Sequence, residues 1–304
     1  MNTTNFVAPA TIPEYLDRLR RALAGADPAL VQDALYDAEE YLRSELAEHP
    51  EMGEAEVIAS VAGSYGAPDE VADIYRDTEV TVQTALRAPA TPPRRSALGR
   101  FFGVAAEPRT YGALFYMLLS LATGIFYFTW VVAGVSISAG MSVLVIGIPL
   151  IILYFGSVRV LSLVEGRVVE AMLGERMPRR PLYSGRGKPL MERIGQLFTD
   201  PRSWSTQLYF LLMLPLGVAY FTALVTLLVT ALALIAAPVM LLAGTQGYFL
   251  FNGVELVGPE PWTWPLMVLA GVVLLFATLH LVRLVGHLHG QLAKQLLVKS
   301  AQYS

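Results

Sequence analysis

The chain has 304 residues, 54% of them hydrophobic and only 15% charged, against about 25% charged in ordinary soluble domains, so part of it is not built for water. Its net charge of −3 conceals a division: residues 1–90 carry 17 Asp/Glu and 6 Lys/Arg, net −11, whereas residues 91–304 carry 8 and 16, net +8. The lack of cysteine excludes disulfides, thiolate catalysis, Cys-ligated zinc and iron–sulfur clusters, and four histidines leave little room for a His-rich metal centre.

The first thirty residues are polar and Ala-rich, which predicts no cleavable signal peptide. Four short amphipathic helices follow. Thr11 caps the first, with Pro13 and Glu14 in its first turn, and Ile12, Tyr15, Leu16, Leu19 and Leu23 form one stripe. Asp27-Pro28 opens the second, lined by Leu30, Ala34, Leu35, Tyr41, Leu42 and Leu46 and stopped near His49-Pro50. Val57, Ile58 and Val61 mark a third, closed at Tyr65-Gly66, and Ala67-Pro68 opens a fourth with Val71, Ile74 and Tyr75. So small a core is marginal alone and suits a docking module. Tyr15, Leu19 and Tyr41 are its candidate partner-docking residues, provided they are not wholly buried. The acidic faces argue against nucleic acid as a direct ligand. Residues 1–83 read as this acidic domain and 84–97, with Pro92-Pro93-Arg94-Arg95, as a linker.

The remainder, 98–299, reads as a membrane domain. Residues 110–158 hold no Asp, Glu, Lys or Arg. One helix of that length would measure roughly 74 Å against a hydrocarbon core of about 30 Å, so it folds back through the small, polar stretch 134–142. Further charge-free runs cover 203–254 and 261–282. The positive-inside rule selects four spans, near 111–133, 141–161, 206–232 and 264–284, because this keeps every Lys and Arg on one side. The reading is a multi-pass protein of the bacterial cytoplasmic membrane with both termini cytoplasmic. Segment 236–261 is then external, its Tyr248, Phe249, Phe251, Trp262 and Trp264 suiting an interfacial or re-entrant position.

The membrane domain repeats itself. Shifting by 93 residues lays Glu107-Pro-Arg-Thr-Tyr111 on Asp200-Pro-Arg-Ser-Trp204 and Gly124-Ile-Phe-Tyr-Phe-Thr129 on Gly217-Val-Ala-Tyr-Phe-Thr222, with 11 identities in the 26 positions from 107 to 132. The expected fold is all-α: a small N-terminal helical domain and a four-helix transmembrane domain of two parallel repeats, about 98–190 and 191–299, related by an axis along the membrane normal. Gly124 and Gly217 allow close helix approach. The hydroxyls of Tyr127, Thr129, Tyr220 and Thr222 require partners within the bundle or line a polar pocket. Arg109 and Arg202 suit headgroup contact. Glu165, Arg167 and Glu170 are assigned to pairing with the basic segment that follows them, and no ionisable residue is expected within the spans.

Two resemblances rest on these residues. Glu14-Tyr-Leu-Asp-Arg-Leu-Arg-Arg-Ala-Leu23, the acidic second helix and Tyr65-Gly-Ala-Pro-Asp-Glu-Val-Ala72 resemble the HAAS domain, the α-helical signalling domain associated with helix-turn-helix regulators, with Tyr65 in place of the usual apolar residue. This implies a PadR-like transcription regulator as partner. Residues 98–295 resemble the sensor domain that precedes the kinase core in actinobacterial sensor histidine kinases. The carriers are the Gly-x-x-Tyr-Phe-Thr span, Ile146-Gly-Ile-Pro-Leu150, Val164-Glu-Gly-Arg167, the duplicated half and Leu279-His-Leu-Val-Arg283 with His289-Gly-Gln-Leu-Ala293. Only eleven residues follow Ala293, so no kinase is expected.

No P-loop, His-Glu-x-x-His or Gly-x-Ser-x-Gly motif occurs. His280 and His287 share a helix face with Arg283, but no acidic residue follows Glu260 to orient a ligating imidazole. No catalytic, cofactor-binding or metal site is therefore expected. The reading is a non-enzymatic membrane sensor that passes an envelope signal to a cytoplasmic regulator through its N-terminal domain. Membrane lipids and a homo-oligomer are further partners, and a transport-associated or lipid-binding protein is the alternative.

Overall fold

The computed structural model describes residues 9–86, 96–142, 147–180, 195, 198–243, 250–251, 254–255 and 261–298. The N-terminal helices are α1 (Ile12–Ala22), α2 (Pro28–Glu48), α3 (Glu54–Ser64) and α4 (Pro68–Leu86). Their starts follow the capping chemistry: Thr11 Oγ1 accepts from Glu14 N–H at 3.3 Å and Asp27 from Ala29 N–H at 2.9 Å. Gly66 takes φ +111°, which an L side chain resists, and this turns α3 into α4. Tyr15, Leu19, Leu23, Leu42 and Ile58 are fully buried among these helices.

A short helix, α5 (Ala97–Gly103), leads into four long ones: α6 (Pro108–Met141), α7 (Gly147–Leu173), α8 (Pro201–Leu242) and α9 (Trp264–Leu297). All four are long and apolar enough to cross a membrane, and each outruns its expected span. At 1.5 Å per residue α8 is about 63 Å long, so it tilts or projects beyond the hydrocarbon. A two-residue antiparallel pair, Leu250–Phe251 with Val254–Glu255, lies between α8 and α9. The rest of the aromatic outer segment, Tyr248 and Phe249 included, falls outside the described residues.

The contacts repeat with the sequence. A Cβ on Gly124 would lie 2.8 Å from the Met213 carbonyl carbon, and one on Gly217 would lie 2.7 Å from that of Ser120, where Met213 is the repeat partner of Ser120. Tyr111 donates to the Ala105 carbonyl at 2.7 Å and its counterpart Trp204 to that of Phe198, the counterpart of Ala105, at 2.8 Å. A second offset, 124 residues, relates α7 to α9. Gly112 abuts the Met172 carbonyl, and Ser205 donates to that of Leu296 at 2.7 Å. Arg159 reaches Asp200 at 3.9 Å and Arg283 reaches Glu107 at 2.7 Å, so each half's second helix ties to the other half's first.

The first helices of the two halves meet at their glycines. Tyr127 stacks on Phe210 with centroids 4.4 Å apart, Gly124 meets Met213, Gly217 meets Ser120, and Leu224 clusters with Ala113 and Met117. These contacts centre on a single close crossing of α6 and α8 at the glycine pair. Without side chains at 124 and 217 nothing holds the backbones apart there.

Candidate functional site

The glycine crossing brings tyrosines from both halves to one place. Tyr116 donates to Glu165 Oε1 at 2.6 Å, Tyr209 to the same oxygen at 2.9 Å, and Tyr127 to Oε2 at 3.0 Å. His289 Nε2 faces the Tyr116 and Tyr209 hydroxyls at 2.7 and 3.0 Å, and its Nδ1 faces Tyr220 at 3.2 Å. Tyr116 and Tyr209, repeat partners, stand 3.3 Å apart. Glu165 is 0% exposed and His289 1%. Glu165 and His289 are themselves related by the 124-residue offset, so the cluster is an acid from one half and an imidazole from the other, bridged by a symmetric tyrosine pair.

The hydrogen-bond inventory closes. A carboxylate only accepts, so the three tyrosines donate to it. The Tyr116 and Tyr209 oxygens then accept from His289 Nε2–H, and Tyr220 donates to the bare Nδ1. Every polar atom has a partner, as burial in an apolar bundle demands. Among the described residues no group of three His, Asp or Glu side chains is placed to hold a metal ion.

Glu165 is therefore not a partner of the basic segment, and ionisable side chains do occur inside the bundle. Hydropathy places Glu165 past the end of its span, whereas α7 continues to Leu173 with Glu165 turned inward. A signal was present: Val158-Arg159…Glu165-Gly166 and Val282-Arg283…His289-Gly290 have identical spacing. Of the proposed hydroxyls, Tyr127 and Tyr220 join the cluster, while Thr129 and Thr222 face outward. His280 meets the Phe101 carbonyl at 3.0 Å and His287 meets Glu175 at 3.4 Å, so the pair shares no site.

A second polar cluster joins the N-terminal domain to the bundle. After α7, Gly174 at φ +74° turns the chain back as a strap, 174–180. Asp33 accepts from the backbone N–H groups of Arg179 and Arg180 at 2.7 and 2.9 Å and pairs with Arg176 at 3.2 Å. Arg176 also reaches Glu79 at 3.1 Å, and Arg180 reaches Asp37 at 3.1 Å. Gln32 donates to the Arg180 carbonyl at 2.7 Å and accepts from Arg202 at 2.9 Å, and Asp27 pairs with Lys294 of α9. Burial pushes the Asp33 carboxyl above its ordinary range, opposed by the two backbone N–H groups and Arg176.

This docking surface differs from the expected one. Tyr15 and Leu19 are wholly buried in the N-terminal core, and Tyr41, half-buried, stacks on Tyr65 at 4.6 Å. α2 instead buries two faces, Ala34, Ala38 and Leu42 inward and Gln32 with Asp33 against the bundle. Polar residues buried on a second face carry no apolar periodicity, which hid them. Arg202 makes an interdomain bond, whereas its repeat partner Arg109 is exposed beside Gly174.

A family model described as Putative sensor matches residues 116–297, more than half of the chain and every member of the tyrosine cluster. The chain belongs to this Sensor family. A HAAS family model matches residues 14–74, which covers α1 to α3 and the start of α4. No curated protein and no solved structure matches. The protein thus joins a HAAS domain to a membrane Sensor domain, and the strap is where the two meet.

Proposed function

We propose that this protein is a non-enzymatic signalling device. Its Sensor domain registers a change at the membrane or envelope, and its HAAS domain passes that state to a PadR-like transcription regulator in the cytoplasm. The observation that carries the reading is the dock. Asp33 and Glu79 of the HAAS domain close on Arg176 of the strap, with side chains only 8%, 10% and 13% exposed. A domain tethered merely as an anchor needs no such buried polar fit. Breaking one partner of a buried pair is costly, so the docked and released states are well separated. The Lys/Arg-rich 159–202 segment also favours a cytoplasmic HAAS domain by the positive-inside rule.

The test is a reporter under the cognate regulator. It compares the full chain, a chain lacking residues 1–90, and the full chain with Asp33→Arg. Deletion should abolish control of the reporter, and Asp33→Arg should fix it in one state. Unchanged output in both variants sinks the reading.

A further inference from the structure

The two polar clusters are joined by a physical path. Glu165 and His289 are each followed by a glycine, and the strap occupies both notches. A Cβ on Gly166 would lie 3.3 Å from Met177 Cβ, and one on Gly290 would lie 2.5 Å from Glu175 Cγ. The strap is held from both helices. Arg167 of α7 donates to the Pro178 carbonyl at 2.6 Å, and His287 of α9 pairs with Glu175 at 3.4 Å. Between these fixings sits Arg176, which faces away to Asp33 and Glu79 of the HAAS domain. Lys294, five residues beyond His289 on α9, adds the pair with Asp27.

We propose that the 174–180 strap is the transmission element of the protein: it reads the relative placement of α7 and α9, which the Glu165–tyrosine–His289 cluster sets, and converts it into docking or release of the HAAS domain. The cluster fixes the two helices through the shared hydroxyls of Tyr116 and Tyr209. Any change that breaks those bonds lets Gly166 and Gly290 move apart. Glu175 and Met177 are then no longer seated together, and Arg176 loses its place between two carboxylates. A packed strap with two anchor points has discrete seatings, which is what carries coupling between sites. This inference deepens the signalling reading and rests on it for its purpose, though not for its test.

The chain has no cysteine, so spin labels can be placed at Ser60→Cys on α3 and Gln295→Cys on α9, both exposed positions. Pulsed electron-spin distances are recorded on the full protein in lipid nanodiscs. The unaltered background should give one narrow distance. Glu165→Gln and His289→Gln, which keep side-chain volume, should raise the undocked fraction about tenfold, equivalent to 1.4 kcal/mol. Gly290→Ala, which unseats Glu175 and leaves the cluster residues intact, should do the same. If the two cluster variants melt at lower temperature yet keep the narrow distance, the proposal is overturned. It is overturned equally if they broaden the distance and Gly290→Ala does not, because the path then bypasses the strap. Distances that respond as expected in a protein whose reporter output never changes would leave the relay standing and remove the signalling reading instead.

Discussion

Alanine at Gly124 or Gly217 tests the crossing on which the tyrosine cluster depends. The new Cβ would stand 2.8 Å from the Met213 carbonyl carbon and 3.1 Å from Leu214 Cα, or 2.7 Å from the Ser120 carbonyl carbon and 3.1 Å from Leu121 Cα. These neighbours are backbone atoms, so no rotamer change relieves the overlap. To regain 3.4 Å the helices must part by at least 0.6 Å in either case. Overpacking of this kind costs about 1–3 kcal/mol. At roughly 2–4 °C per kcal/mol for a domain of this size, each variant should melt about 2–12 °C lower. The double variant should cost less than the sum, because one separation accommodates both methyl groups. Gly156→Ala is the control: nothing lies within 4 Å of its Cβ, and alanine favours a helix interior by about 1 kcal/mol over glycine. Thermal unfolding in detergent, followed by circular dichroism, reads all four. If Gly124→Ala and Gly217→Ala melt with the control, or if their costs add, the close crossing described above is wrong.

Glu165→Leu removes the acceptor of three tyrosine hydroxyls and leaves that of Tyr127 unpaired, at about 1–3 kcal/mol for a buried group without a partner, so it should melt below Glu165→Gln; equal melting of the two would refute the inventory of bonds. At the dock, Lys294→Glu should raise the undocked fraction in the spin-label measurement while leaving the Asp27 cap of α2 intact; an unchanged narrow distance would refute the pair with Asp27. Sidedness can be checked with an impermeant thiol reagent, which should label Ser184→Cys only from the cytoplasmic side and Gly258→Cys only from outside.

Much of the architecture was legible in the sequence because its signals are local and strong. Caps at Thr11 and Asp27, apolar stripes, long charge-free runs and an in-register repeat fix helices and their number. The glycines at 124 and 217 were also legible, since paired small residues have a direct packing meaning. Glu165 was not, because hydropathy reads a charged residue at the end of an apolar run as being outside it. Only three tyrosines from two other helices make its burial affordable, and that is a tertiary fact. Gln32 and Asp33 were hidden for a similar reason: their partners Arg176, Arg180 and Arg202 lie more than 140 residues away. Thr129 and Thr222 were selected by their place in the repeat, but they stand two residues from Tyr127 and Tyr220 and so face elsewhere on the helix.

The exchange of an acid for an imidazole at equivalent positions makes the two halves of the membrane domain complementary rather than interchangeable. A protein assembled from two copies of the first half would bring two carboxylates to one pair of tyrosines, with like charges facing in an apolar interior and no imidazole N–H to meet the tyrosine oxygens. Two copies of the second half would leave those hydroxyls with no carboxylate. With Tyr116 and Tyr209 paired, the carboxylate at 165 and the imidazole at 289 commit each half to the other. The domain is consequently an obligate heterodimer written in one chain, which no exchange of one half for a second copy of the other can reproduce.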